Sequence, residues 1–373
     1  MSSIEDSFVH LARLALARKH SDVHALVRQT ARRFEATHPD IAKKLEALLL
    51  ATEDGSATRA VVVDPLPVDT DSRLELIRRE YPVVLDIEPS WNQAVQGQLG
   101  AIVQERRREK DLLAAGLFPT RSLLMTGPPG VGKTLSARWL AKELNRPLLT
   151  LDLAAVMSSF LGRTGNNVRT VLDFARRTPC VLLLDEFDAV AKRRDDATEI
   201  GELKRLVTVL LQAIDDWPAE GLLVAATNHA DLLDPATWRR FEQTIELPLP
   251  DYEARSEAIK AHLGPAPDGG WEWVRALAIA TEGMSFADLE KRVKSARREA
   301  VLSGSSHSPT EQLVNDLLLG RPKKERQEAA RLLACAGLSE RHVNELTGVS
   351  RDTIRKFKRE APVTTPEEEE FDA

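Results

Sequence analysis

Residues 127–134 read Gly-Pro-Pro-Gly-Val-Gly-Lys-Thr, and this octapeptide constrains the fold more than any other feature. It fits the phosphate-binding pattern G-x-x-x-x-G-K-[ST]. Ser122–Thr126 before it is short and apolar enough for a buried strand, and Leu135–Leu144 after it reads as a helix. The glycines let successive backbone N–H groups turn toward one centre at the helix N-terminus, which makes an anion cradle. Pro129, Gly130, Val131, Gly132, Lys133, Thr134 and Leu135 are therefore the candidate phosphate-binding residues. Lys133 can reach β- and γ-phosphates, and the Thr134 hydroxyl can ligate Mg²⁺. The alternative, a chance glycine-rich turn, does not explain strand, loop and helix falling in register.

The chain has 373 residues, room for two or three domains. No apolar run approaches the ~20 residues that span a bilayer, so no membrane partner is expected. Glu5, Asp6 and His10 interrupt any signal-peptide pattern. Cys180 and Cys335 are the two cysteines, too few for a disulfide framework, and a cytoplasmic location is expected. Residues 1–52 read as an N-terminal helical domain, with Ile4, Phe8, Leu11 and Leu14 at helical spacing. Residues 53–75 read as a linker with turn-forming and acidic residues. Between Arg121 and Pro250, short apolar runs alternate with helical stretches, with strands expected at 122–126, 148–151, 181–184, 222–226 and 244–247. That alternation predicts an α/β fold, a parallel sheet with helices on both faces. The α/β core is placed at 76–252, helices at 253–304 and 311–361, and an acidic tail at 362–373.

Val181-Leu-Leu-Leu-Asp-Glu-Phe-Asp188 is an apolar strand ending in carboxylates, the Walker B pattern. Asp185 at the strand end can hold Mg²⁺, and Glu186 can act as base toward an attacking water. Taken alone this is equally a strand followed by a solvated acidic turn; its place after Lys133 favours the chemical reading. Leu222–Asn228 is a further buried strand ending in an amide, and Asn228 can orient the water or act as a turn former. Arg239 and Arg240 close the stretch 234–241. They can serve as arginine fingers on a neighbouring copy or lie in a surface salt bridge. Which of the two would point at a phosphate stays open.

These motifs, in this order, resemble the AAA family of ATPases over roughly Val84–Ala300. The resemblance implies a P-loop core with a helical lid, ATP and Mg²⁺ as cofactors, and a ring of copies, most often a hexamer. Ser158-Ser-Phe-Leu-Gly162 falls where the family places its pore loop, so Phe160, Leu161 and Gly162 are candidates to grip a protein substrate. Core packing of Phe160 is the competing reading. The charged run at 192–196 suits a second pore loop, a subunit contact or a solvated face. Gly283-Met-Ser-Phe-Ala-Asp-Leu289 resembles the lid signature but carries Phe286 where Gly is usual. Ala287 stands where other branches carry an arginine, and the absence of that arginine is typical of the branch that remodels proteins.

Residues 338–359 resemble a helix-turn-helix, with Ser339 and Ser350 as caps and Gly348 at the turn. Residues 321–361 hold eleven Lys/Arg against six Asp/Glu, a net of +5 in a chain whose net charge is −6. Arg351, Arg355 and Lys356 are then candidates to contact double-stranded DNA, while a scaffold or protein-contact role explains the same pattern. The resulting expectation is an oligomeric ATPase that remodels or unfolds a protein partner, with DNA as its address. The alternative is an ATPase regulator acting on DNA.

Overall fold

The computed structural model describes residues 27, 30, 34, 66–68, 75–153, 156, 164–191, 200–263, 271–303 and 309–360. The chain divides into two units, Met1–Leu66 and Pro67–Ala373. In the first, the described residues Val27, Thr30 and Phe34 are helical. Phe160, Leu161 and Gly162, the run 192–196, most of 1–52 and the tail 362–373 lie outside the described residues.

The order of elements is β1 (Arg78–Glu80), α1 (Gln93–Arg107), α2 (Glu109–Ala114), β2 (Ser122–Thr126), α3 (Lys133–Glu143), β3 (Leu148–Asp152), α4 (Thr164–Arg177), β4 (Val181–Asp185), α5 (Asp188–Ala191), α6 (Ile200–Asp215), β5 (Leu222–Thr227), α7 (Pro235–Trp238) and β6 (Gln243–Glu246). Seven helices follow: α8 (Tyr252–Leu263), α9 (Glu272–Ala280), α10 (Phe286–Ser303), α11 (Pro309–Leu318), α12 (Lys323–Cys335), α13 (Glu340–Thr347) and α14 (Arg351–Glu360). The strands form one sheet in the order β1-β3-β4-β5-β2-β6. All pairs are parallel except β1–β3, an antiparallel edge. The α/β architecture expected from the alternating pattern is present.

Strands β2 and β5 are buried at every position, and β4 at every position but its last. A strand covered on both faces needs an unbroken apolar run, which is why these segments show no polar alternation. Helix α1 starts where the Asn92 side chain accepts from the Val95 N–H at 2.9 Å. It buries Val95, Leu99, Ile102 and Val103 at helical spacing. These join β2, β4, β5 and α3 residues in one apolar layer.

Sequence reading misses β1, because Arg78-Arg79-Glu80 carries no apolar signal. The strand exists through its register against Leu148–Thr150 at the sheet edge. The stretch 271–303, expected to be helical, holds α9 and α10. Gly283 lies between the two, taking φ of 78°. Helices α8 to α14 share one apolar core, from Ile259 and Leu277 through Val293 and Val314 to Val343 and Ile354. The described helices α11 to α14 thus pack on the helices that follow the sheet. No helix among the described residues is long and apolar enough to cross a membrane.

Candidate nucleotide site

Strand β2 delivers the glycine loop to the C-terminal edge of the parallel sheet, where α/β folds place their ligands. Gly127 takes φ of 141°, and a Cβ there would lie 2.1 Å from the Leu247 carbonyl oxygen. No other residue fits that position. Gly132, at φ 96°, precedes the first residue of α3, so the helix N-terminus opens at Lys133. The Lys133 Nζ donates to the Gly127 and Pro128 carbonyls at 2.7 and 2.9 Å. Its side chain is 7% exposed. Burial lowers its pKa from the usual lysine value, against the opposing pull of Asp185 and Asp188.

Strand β4 ends on Asp185, level with Asp152 of β3. The Thr134 hydroxyl donates to Asp185 Oδ2 at 3.0 Å, and the Glu186 N–H donates to Asp185 Oδ1 at 3.0 Å. Glu186 adopts φ of 53°, a left-handed conformation that a non-glycine residue adopts at a cost. Such strain gathers at functional positions. Asn228 follows β5, and its N–H donates to Asp188 Oδ1 at 3.4 Å. The same Asp188 oxygen accepts from Thr227 Oγ1 at 3.1 Å. Asp188, which was not singled out from sequence, thereby ties the exit of β4 to the exit of β5.

One cleft of ≈ 1090 Å³ brings together Pro129 to Leu135, Asp185, Glu186 and Asn228. Its remaining wall includes Arg138 of α3, Thr150 and Asp152 of β3, the segment before α1 with Asp86 and Ile87, and the C-terminal helices with Ala258, His262, Phe286 and Ala287. Burial lowers the His262 pKa below the ordinary histidine value, so the imidazole is neutral at pH 7. Phe286 and Ala287 fall in the stretch 283–289 that resembles the lid signature, whereas no local pattern announces Asp86, Ile87, Ala258 or His262. The Ala287 N–H at the start of α10 donates to the Gly130 carbonyl at 3.2 Å. A Cβ on Gly130 would meet Ser285 Oγ at 2.7 Å. The loop and α10 therefore touch directly.

Arg239 and Arg240 do not line this cleft. Arg240 is ion-paired with Asp215. Next to it the buried Phe241 stacks edge-on against Phe187, with ring centroids 5.9 Å apart. Arg351, Arg355 and Lys356 lie on α14, likewise away from the cleft. Arg355 pairs with Glu340 at 2.8 Å and Asp352 at 3.5 Å, and Lys356 lies 3.8 Å from Glu360.

A buried ammonium, a helix N-terminus with glycine-turned amides, and a hydroxyl–carboxylate pair suit a nucleoside triphosphate and a hard divalent cation. Residues 123–249 match the family described as "ATPase family associated with various cellular activities (AAA)". The "Uncharacterized AAA family ATPase y4kL" of Sinorhizobium fredii is 42% identical over 190 residues, which are 51% of this chain and 57% of that protein. The "Proteasome-activating nucleotidase" of Pyrococcus horikoshii is 32% identical over 275 residues, 70% of this chain and 68% of its own length. The "Cell division cycle protein 48 homolog" of Archaeoglobus fulgidus is 29% identical over 79% of this chain and 42% of itself. The chain thus spans 57% of the Sinorhizobium relative and under half of the Archaeoglobus one. It belongs to the AAA family of ATPases, and ATP hydrolysis is the activity that membership carries.

Proposed function

We propose that this chain hydrolyses ATP in the cleft and, as a ring of copies in the cytoplasm, uses the cycle to remodel or unfold a protein. The observation that carries the catalytic part is the Thr134–Asp185 hydrogen bond beside Glu186. In this reading the amides of Pro129 to Leu135 hold the phosphates and Lys133 neutralises them. Thr134 and Asp185 hold Mg²⁺, which when bound supplies charge neutralisation at the phosphate oxygens. Their oxygens are the hard donors such a cation takes. Glu186 accepts the proton of the attacking water, and Asn228, set by Asp188, orients that water.

The ring reading is supported by the arginine pair. Arg239 and Arg240 sit outside their own chain's cleft, on a segment pinned to the Walker B strand through Phe187 and Phe241. From there they would serve a neighbouring copy. The protein-substrate reading is supported by the relatives called proteasome-activating nucleotidase and cell division cycle protein 48 homolog. Phe160, Leu161 and Gly162 would provide the grip, on sequence grounds. Glu186→Gln is expected to bind ATP as the parent does and to lose turnover by about 10²–10⁴-fold, the usual contribution of a general base. Equilibrium ATP binding and phosphate release measured on both proteins decide it; undiminished turnover would overturn the assignment.

A second reading adds double-stranded DNA as address or substrate. It is favoured by α12 to α14, where Ser339 caps α13 through the His342 N–H and Gly348 closes it at φ 64°. Helix α14 buries Ile354 and exposes Arg351, Lys356 and Arg359. Three of its cations are already engaged, Arg355 with Glu340, Lys356 with Glu360 and Lys358 with the Leu338 carbonyl, which weakens the electrostatic case.

A further inference from the structure

Lys133, Thr134, Asp185, Glu186 and Asn228 form a polar group suited to phosphates, metal and water. Ile87, Ala258 and Phe286 add carbon surface to the same lining, on the segment before α1 and on the helices after the sheet, where His262, Glu88 and Glu290 also line the cleft. With its phosphates at the glycine loop, ATP would have this carbon surface available for its base, because base rings bury well on carbon and phosphates do not.

Phe286 is the aromatic side chain of this chain at the start of α10, where the resembled lid signature has glycine. Ser285 before it takes the cap position, accepting from the Asp288 N–H at 3.2 Å. Phe286 is half-buried and packs against the apolar core of α8 to α14. It also borders a small cavity shared with Trp91, Val131, Leu247 and Pro250. The ring thus stands where the helical region, the phosphate loop and the sheet meet. Its backbone is held by its neighbours, since Ala287 bonds to Gly130 and Ser285 abuts it. A side chain whose backbone is fixed on both sides loses little freedom when it contacts a ligand.

We propose that Phe286 is a specificity-determining residue that stacks on the nucleobase, so that this chain takes nucleoside triphosphates over bare polyphosphates by an aromatic contact. The inference rests on the ATP reading above. Stacking is indifferent to the identity of the base, since every base presents a π face. ATP and GTP should therefore depend on Phe286 alike. A contact of this class is worth roughly threefold to tenfold in affinity.

The test measures binding of ATP, GTP and inorganic tripolyphosphate, each with Mg²⁺, to the full chain and to Phe286→Gly, Phe286→Leu and Phe286→Tyr. Phe286→Leu keeps the apolar volume and guards against a merely loosened lid. The expected result is weaker ATP and GTP binding by roughly threefold to tenfold in the Gly and Leu variants. Tripolyphosphate should bind them as it binds the parent, and Phe286→Tyr should restore both nucleotides. Equal loss of tripolyphosphate would show that Phe286 only positions the loop, and unchanged nucleotide affinity would show no contact; either overturns the proposal. If the parent itself fails to bind ATP, the ATP reading falls instead.

Discussion

Arg106 shows how one residue can brace a site it never touches. It is 6% exposed on α1 and donates to three backbone carbonyls, those of Ala219, of Thr120 at 2.5 Å and of Gly221 at 2.6 Å. Thr120 leads into β2 and the glycine loop; Ala219 and Gly221 lead into β5 and Asn228. Burial, and then the nearby Arg146, bring its pKa down to about 10, so it stays protonated at neutral pH. Arg106→Ala strips these carbonyls of a buried donor, and each orphaned group costs about 1–3 kcal/mol. A loss of about 3 kcal/mol or more is expected in denaturant titration. Arg106→Lys should not rescue it, because one ammonium cannot reproduce the planar fork across separate segments. Full recovery with lysine would show that charge alone matters at this position.

At the scale of elements, the contact between the glycine loop and α10 is the coupling most open to test. Gly130 takes φ of 77°, and a Cβ on it would come 2.7 Å from Ser285 Oγ and 2.8 Å from the Ala287 Cβ. Gly116 has a similar φ of 74°, with nothing within 4 Å of its hypothetical Cβ. Both Gly→Ala changes carry the cost of a left-handed residue, about 1–3 kcal/mol. Gly130→Ala must also push α10 from the loop, so it alone is expected to weaken ATP binding, by about tenfold for a misplacement near 1.4 kcal/mol. Equal ATP affinity in the two variants would refute the coupling. This contact was not legible in the sequence, whereas the elements it joins largely were. Strands β2, β4 and β5 announce themselves because strands buried on both faces must be apolar throughout, and the glycine loop does so because its chemistry is contiguous. The edge strand β1 does not, since Arg78-Arg79-Glu80 is charged and becomes a strand only by pairing with β3. Ile87, His262 and Phe286 meet in the cleft from three distant segments, and Asp188 bonds to Asn228 only because β4 and β5 are neighbours.

At the scale of the whole molecule, the described helices α8 to α14 share one apolar core. Ile354 of α14 and Val343 of α13, both fully buried, belong to the same core as Leu277 of α9 and Val293 of α10. A helix-turn-helix that worked independently of the nucleotide would need a core of its own. Here α14 shares its core with α10, and α10 carries the Ala287 N–H to the Gly130 carbonyl. A change deep in α14 should therefore reach the cleft through packing alone. Ile354→Ala removes a large side chain from a close-packed core, at a cost of about 2–5 kcal/mol. Scanning calorimetry should show the transition of the helical region shifting as a unit, with ATP affinity falling although no residue of the cleft has changed. An independent module predicts the reverse: a small transition of its own moves to lower temperature, and ATP binds as before. That outcome would detach α13 and α14 from the nucleotide cycle and leave their basic face without a mechanical link to hydrolysis.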